Sequence, residues 1–368
     1  MKTWILVAMM AVVSSPAYAQ LGGILNKAQK AQEQKQRFDD LNVTEEEEIK
    51  IGADVSLKIR QRFGVVQDPA VHRYVTLMGT LVAQQTERPK LPWTFIVLDT
   101  DGVNAFASPG GFVHITRGAL ALIKNEAELA GVLGHEMTHV AHKHTVNAIK
   151  KNKAVQIGTS ETLSDRGPFV DRLANKAYEM VLENSFDRGD ELDADKESIA
   201  LALKLGFAPT GLADFLTRLD ERNKDQPAQN GLFASHPATQ ERIDKVRQLA
   251  GSKTGALVLA RYAATIKYQP TDITKIAVVT EGSAGLTGSA KEEPKKEEPK
   301  KEEPKKGGFG LGALKQTVAP EKQSAQVSAS GGARGVGPDR LAKGGSNPNP
   351  VNVTVSAADV DAFKKGIS

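Results

Sequence analysis

His135, Glu136 and His139 stand in the run His-Glu-Met-Thr-His. The chain holds seven histidines in 368 residues, and four of them crowd into positions 135, 139, 142 and 144. Residues four apart lie one turn apart on the same face of an α-helix, so His135 and His139 can turn both imidazoles on one ion. Glu136 projects beside the first of them and can reach a water held there. Little more than one turn thus supplies two ligands and a general base. Cysteine is absent, so any metal is held by imidazole and carboxylate, and zinc is the expected ion, one per chain. The competing reading is a pair of surface histidines. Val132, Leu133, Met137 and Val140 surround the pair with apolar side chains, and burying two imidazoles and a carboxylate without partners is costly.

A catalytic zinc keeps three protein ligands and one open position, so a third ligand must come from elsewhere. Glu191 and Asp195 are four apart in "DELDADKESIALAL". Glu191 can close the site from a second helix, and Asp195 can accept a hydrogen bond from the far nitrogen of a ligating imidazole. Asp187, Asp190, Glu191 and Asp193 also read as an exposed acidic helix end, and spacing alone leaves both readings open. His142 falls a turn beyond the pair and His144 on the other side of a continuous helix, so both are expected to be structural or solvent-facing. His236, in Ser235-His236-Pro237, is held on a constrained turn ahead of a helix. It is either a helix-entry residue or a participant in the site.

The elements that must position these groups are legible in part. Thr44 and Glu47 form a capping-box pattern before apolar residues at helical spacing, so a helix is predicted over 45–63, with another over 68–86. "WTFIVLDT" (93–100) and "GGFVHITRG" (110–118) read as strands. Asn125 caps the histidine helix, with Glu128 at the reciprocal third position. Further helices are predicted near 168–184, 190–204, 209–222 and 237–249. The fold class is α+β: a mainly helical domain with a small β-sheet and a disordered C-terminal tail. The domain is expected over 44–250, after a polar lead-in at 20–43.

The N-terminus places a lysine, an apolar run from Trp4 to Val13 and Ala17-Tyr18-Ala19 in the order of a cleavable export signal over 1–19, cut after Ala19. Ten apolar residues are too few to span a bilayer, and no later stretch is long and apolar enough. A periplasmic location is expected, compatible with peripheral association at the outer membrane or envelope. Net charge is +4, too mild and evenly spread for a nucleic-acid partner. A small appendage is expected over 251–284 and a disordered linker over 285–350. That linker contains KEEPKKEEPKKEEPKK, where a proline every fifth residue forbids a regular helix. Residues 351–368 are read as a frayed tail, with docking as a short strand or helix the alternative. On the tail reading, truncation near 285 should leave stability unchanged.

The blocks "NAFASPGGFVHITRGAL", "NEAELAGVLGHEMTHVAHKH", "ELDAD" and "SHPATQERI" resemble the successive motifs of gluzincin metallopeptidases of the CAAX prenyl protease and HtpX type. The order and spacing of the four, over about 45–250, make the likeness specific. The helices of the membrane-spanning members have no counterpart in this sequence, so it resembles the soluble, exported branch. The resemblance implies a zinc endopeptidase with His135, His139 and Glu191 as ligands, Glu136 as base and Asp195 behind the ligands. It also implies that Asn104 and the strand from Gly111 mark an edge along which an extended substrate lies, and that His236 can approach the zinc. The family's usual Ser-Arg is here Asp187-Arg188, and its Glu-x-Glu-Ala-Asp is Glu191-Leu192-Asp193-Ala194-Asp195. The expected substrates are unfolded or misassembled exported proteins. A chaperone-like peptide-binding module with a latent zinc site is the rival. A structural zinc domain would want four protein ligands and no adjacent base.

Overall fold

Apolar residues at three- and four-residue spacing produce the first two helices. In α1 (Glu45–Phe63), Ile51, Val55, Ile59 and Phe63 are buried. Asp68 starts α2 (Pro69–Ala83) by accepting from the amides of Ala70 and Val71, with proline at the first turn. The computed structural model describes residues 43–151, 167–183, 186–224, 240–272, 277–280, 323–327 and 347–367. The export signal, most of the lead-in, the KEEPK run and His236 lie outside them.

Three strands follow: β1 (Thr94–Leu98), β2 (Ala105–Ser108) and β3 (Phe112–Thr116). Their order is β1-β3-β2, with β3 parallel to β1 and antiparallel to β2. The register pairs Ile96 with His114 and Phe106 with His114. The strand that begins after Gly111 is therefore the centre of the sheet, bonded on both sides. This corrects its expected place at an edge: the outer strands are β1 and β2, and β2 bonds a neighbour on one side only among the described residues.

The helical layer consists of α3 (Arg117–Leu122), α4 (Glu126–Ala141), α5 (His144–Lys151), α6 (Gly167–Glu183), α7 (Arg188–Leu205), α8 (Gly211–Asn223), α9 (Gln240–Ala250) and α10 (Leu259–Thr265). The histidine helix is α4. It packs along α7 and α8 and against β2. Gly131 permits the close approach to α8, because a Cβ there would stand 2.9 Å from the Leu212 amide, whereas a Cβ on Gly134 would meet Cα of Ser198 in α7 at an ordinary contact distance of 3.4 Å. One continuous apolar core joins α2, the sheet, α4, α7, α8 and α9. This is the α+β class expected, mainly helical with one small sheet at the site. Among the described residues no helix is long and apolar enough to cross a membrane.

Beyond α10, β4 (Ala277–Thr280) pairs antiparallel with β5 (Gln323–Val327), the latter inside the stretch expected to be linker. The chain end takes the docked alternative. Residues 347–367 lie on the domain and finish in α11 (Ala357–Lys365), where Ser356 and Asp359 form a capping box. Val360, Phe363 and Ile367 are buried in the main core. Asn347 accepts from the Val65 amide, Pro348 from Arg60, and Thr354 from Arg73. The expectation that truncation near 285 leaves stability unchanged is accordingly not kept, because apolar side chains of the last residues fill part of the core.

Candidate metal centre and its surroundings

Asn125 starts α4 by accepting from the Glu128 amide, as its sequence position requires. The Glu128 carboxylate turns back to the Lys124 amide and the Asn125 side chain, and Arg218 of α8 pairs with it. The helix is thus anchored at its first turn, and two turns later it presents His135 and His139 inward. Both histidines are buried, as are Glu136, Glu191 and Asp195.

The Nε2 atoms of His135 and His139 stand 3.2 Å apart. From α7, Glu191 Oε2 is 3.6 Å from His135 Nε2 and Oε1 is 3.5 Å from His139 Nε2. A tetrahedral zinc with bonds of 2.0–2.2 Å spaces its ligands about 3.3–3.6 Å apart. The three donors match that spacing. The opposite ring nitrogens are otherwise engaged: His135 Nδ1 lies 3.0 Å from Asp195 Oδ1, and His139 Nδ1 lies 3.0 Å from His144 Nδ1. Protons directed to those contacts leave the Nε2 lone pairs facing each other and the Glu191 carboxylate, an arrangement a cation satisfies. Phe186 stacks on the His139 ring at 4.1 Å and holds its plane.

Arg242 of α9 was not foreseen. Its Nε and Nη2 bond both oxygens of Asp195, at 2.8 and 2.7 Å, and its Nη1 lies 2.7 Å from Glu191 Oε2. One guanidinium therefore sets both carboxylates of α7. Burial raises the Asp195 carboxyl, but the hydrogen bonds of Arg242 and His135 outweigh it and hold the group well below the ordinary carboxylate range. A signal was present in the sequence. Arg242, Val246 and Ala250 recur every fourth residue on the buried stripe of α9, and a charge on an apolar stripe requires an internal partner.

His144 is also corrected. The histidine helix ends at Ala141, Lys143 takes a left-handed conformation (φ 58°), and His144 opens a new helix. That reversal brings a ring expected on the far side back against His139. Burial lowers the His144 pKa, with Asp190 and Asp193 opposing the shift, so the neutral ring can accept from His139. His142 caps α4 and contacts Asp193. Asn104 is buried just ahead of β2, with its carboxamide oxygen accepting from Ala105 and its carbonyl from Thr116. Gly111 has φ 103° at the entry to the central strand. His135, His139, Glu191 and Asp195 are thus brought together, and Asn104 adjoins the outer strand that packs on α4.

Comparison with known proteins agrees with this geometry. Residues 69–250 match Peptidase family M48. The putative beta-barrel assembly-enhancing protease of Vibrio cholerae is 25% identical over 219 residues, 56% of this chain and 45% of the relative. Metalloprotease LoiP of Escherichia coli is 29% identical over 163 residues, 42% of this chain and 62% of the relative. The mitochondrial metalloendopeptidase OMA1 of Schizosaccharomyces pombe is 25% identical over 220 residues, 58% and 64% of the two chains. The chain spans less than half the length of the first of these and less than two thirds of the others. With its two histidines and a glutamate poised to hold a metal, the segment 69–250, just under half of the chain, is similar to peptidase family M48.

Proposed function

We propose that this protein is a metalloendopeptidase that uses zinc and hydrolyses peptide bonds of unfolded or misassembled exported proteins, as an envelope quality-control enzyme. The observation that carries the metal is the spacing of 3.2–3.6 Å among the His135, His139 and Glu191 donors. When bound, zinc acidifies a water and polarises the scissile carbonyl. Glu136, the neighbour of His135 in the buried turn, accepts the proton of the attacking water on its carboxylate and delivers it to the leaving amine nitrogen. Asp195 holds the His135 ring through Nδ1, and Arg242 holds Asp195 and Glu191. An extended substrate pairs along β2, whose outer side has no strand partner among the described residues, giving sequence-tolerant backbone hydrogen bonds. Asn104 marks the start of that track.

His236 precedes α9 by four residues, and Arg242 fixes α9 to the site. In our reading His236 acts on the open side, either as a fourth ligand that keeps the enzyme latent or as a hydrogen-bond donor to the oxyanion. As a ligand, its replacement by alanine raises basal cleavage. As a donor, the same change lowers kcat about a hundredfold or more with zinc retained.

The names of the beta-barrel assembly-enhancing proteases and of LoiP support peptidase activity, and the export pattern of residues 1–19 supports the periplasmic setting. Casein cleavage tests the activity. Purified protein is expected to degrade casein, stop on chelation and recover with added zinc. Stable binding of casein without cleavage under any metal would favour the chaperone-like alternative. Fractionation of cells making the full chain tests the setting, and recovery of uncut protein from the cytoplasm would contradict it.

A further inference from the structure

Outside the His135–His139–Glu191 set, the described residues hold a second group of donors close enough to share an ion. The ligand atoms of His142, His144 and Asp193 all lie within 4.8 Å of one another. The fold assembles them through the reversal at Lys143, which turns two imidazoles toward the first turns of α7. There His142 Nδ1 meets Asp193 Oδ2, and His144 Nε2 stands 3.3 Å from that same oxygen. The Asp190 Oδ1 atom is 3.8 Å from His144 Nε2 and adds an oxygen at the margin. The 3.3 Å separation equals the ligand–ligand edge of a tetrahedral zinc site, about 3.3 Å. Two imidazoles with a carboxylate suit zinc, cobalt, nickel or copper, and not the all-oxygen shells of calcium or magnesium. Side-chain exposures of 22% for His142 and 43% for Asp193 leave room for water to complete the coordination. The same openness makes the site weaker than the inner one.

We propose that His142, His144 and Asp193 bind a second ion of the zinc class, and that this ion restrains the enzyme when zinc is in excess. The restraint follows from the His139–His144 contact and rests on the reading of His139 as a catalytic ligand; the second ion itself does not. With His139 coordinating through Nε2, its remaining proton sits on Nδ1 and is donated to His144 Nδ1. The His144 proton is then on Nε2, facing Asp193. A second ion taking His144 Nε2 moves that proton to Nδ1, where two N–H donors confront each other across 3.0 Å. The contact that orients His139 must open. Each ion therefore disfavours the other.

The test is equilibrium dialysis of untagged, metal-stripped full chain against rising zinc, with bound metal measured by atomic emission and casein cleavage followed in parallel. Wild type is expected to take two ions, the second at least about tenfold more weakly, and to lose activity as the second binds. The variants His142→Ala and Asp193→Asn are each expected to take one ion and to lose the inhibition by excess zinc. The variant His135→Ala is expected to keep only the weaker ion. One ion in wild type, or a second that survives both His142→Ala and Asp193→Asn, overturns the second site. If that single ion disappears in His135→Ala, the catalytic reading stands alone. If His135→Ala binds as many ions as wild type, it is the catalytic reading that fails.

Discussion

Arg242 carries more of the site than its place in a polar helix announces. It binds both oxygens of Asp195 and one of Glu191 from a buried position, so it neutralises the pair and fixes their direction. Lysine offers a point charge without the planar fork, and cannot hold two carboxylates in one orientation. Arg242→Lys should therefore fold but bind zinc about 10–100-fold more weakly, the usual penalty for removing an outer partner of a ligand. Arg242→Ala should also destabilise the protein by about 3–5 kcal/mol, since two buried carboxylates lose their counter-charge. Zinc titration and denaturant unfolding read the two effects, and a lysine variant with wild-type zinc affinity would remove Arg242 from the positioning role. At this scale the sequence was most legible where chemistry is local. His135, Glu136 and His139 follow from one turn of helix. Glu191 needed the packing of α7 on α4, and Arg242 the return of α9, neither of which spacing specifies.

The glycines of the histidine helix act at the scale of elements. Gly134 faces Cα of Ser198 at a distance where a methyl group makes ordinary contact. Gly134→Ala should accordingly leave zinc affinity intact and hold stability within about 1 kcal/mol, helped by the better helix propensity of alanine. Gly134→Leu has no such space. It should force α7 away from α4, cost about 1–3 kcal/mol through overpacking and weaken zinc binding by moving Glu191. Equal zinc affinity in the two variants would show that the helix spacing does not set the ligand geometry. Long, strongly patterned elements were readable in advance: α1 begins and ends at the residues expected, and α4 starts at its asparagine cap. Short ones were not. The strand β2 is four residues, Ala-Phe-Ala-Ser, with little β-branching, and exists because β3 offers it a partner. The break at Lys143 was also hidden, because a lysine carries no signal for a left-handed turn, and this hid the place of His144.

For the whole molecule, the end of the chain returns to brace its middle. Glu126, in the first turn of α4, accepts from Tyr74 of α2 at 2.7 Å and pairs with Arg261 of α10. Arg261 donates in turn to the Phe363 carbonyl and lies over the Phe363 ring at 4.0 Å. The histidine helix, α10 and α11 are thereby tied at one point. Phe363→Ala should cost about 3–5 kcal/mol, and deletion of residues 347–368 should lower the unfolding midpoint further. Thermal unfolding checks both, and a deletion variant with an unchanged midpoint would mean that the docked segment contributes nothing. Its docking was poorly legible because Val355, Val360, Phe363 and Ile367 supply the apolar contact, too sparse a pattern to outweigh the polar stretch before it.

The central claim is that a metal held by α4 and α7 and a proton carried by Glu136 together cleave peptide bonds. It is tested most directly by measuring tightly bound zinc and casein cleavage side by side in wild type and in Glu136→Gln. The account predicts zinc at the His135–His139–Glu191 site in both proteins, with cleavage by the glutamine variant reduced at least about a hundredfold. Cleavage by Glu136→Gln at near the wild-type rate, with zinc in place, would contradict it.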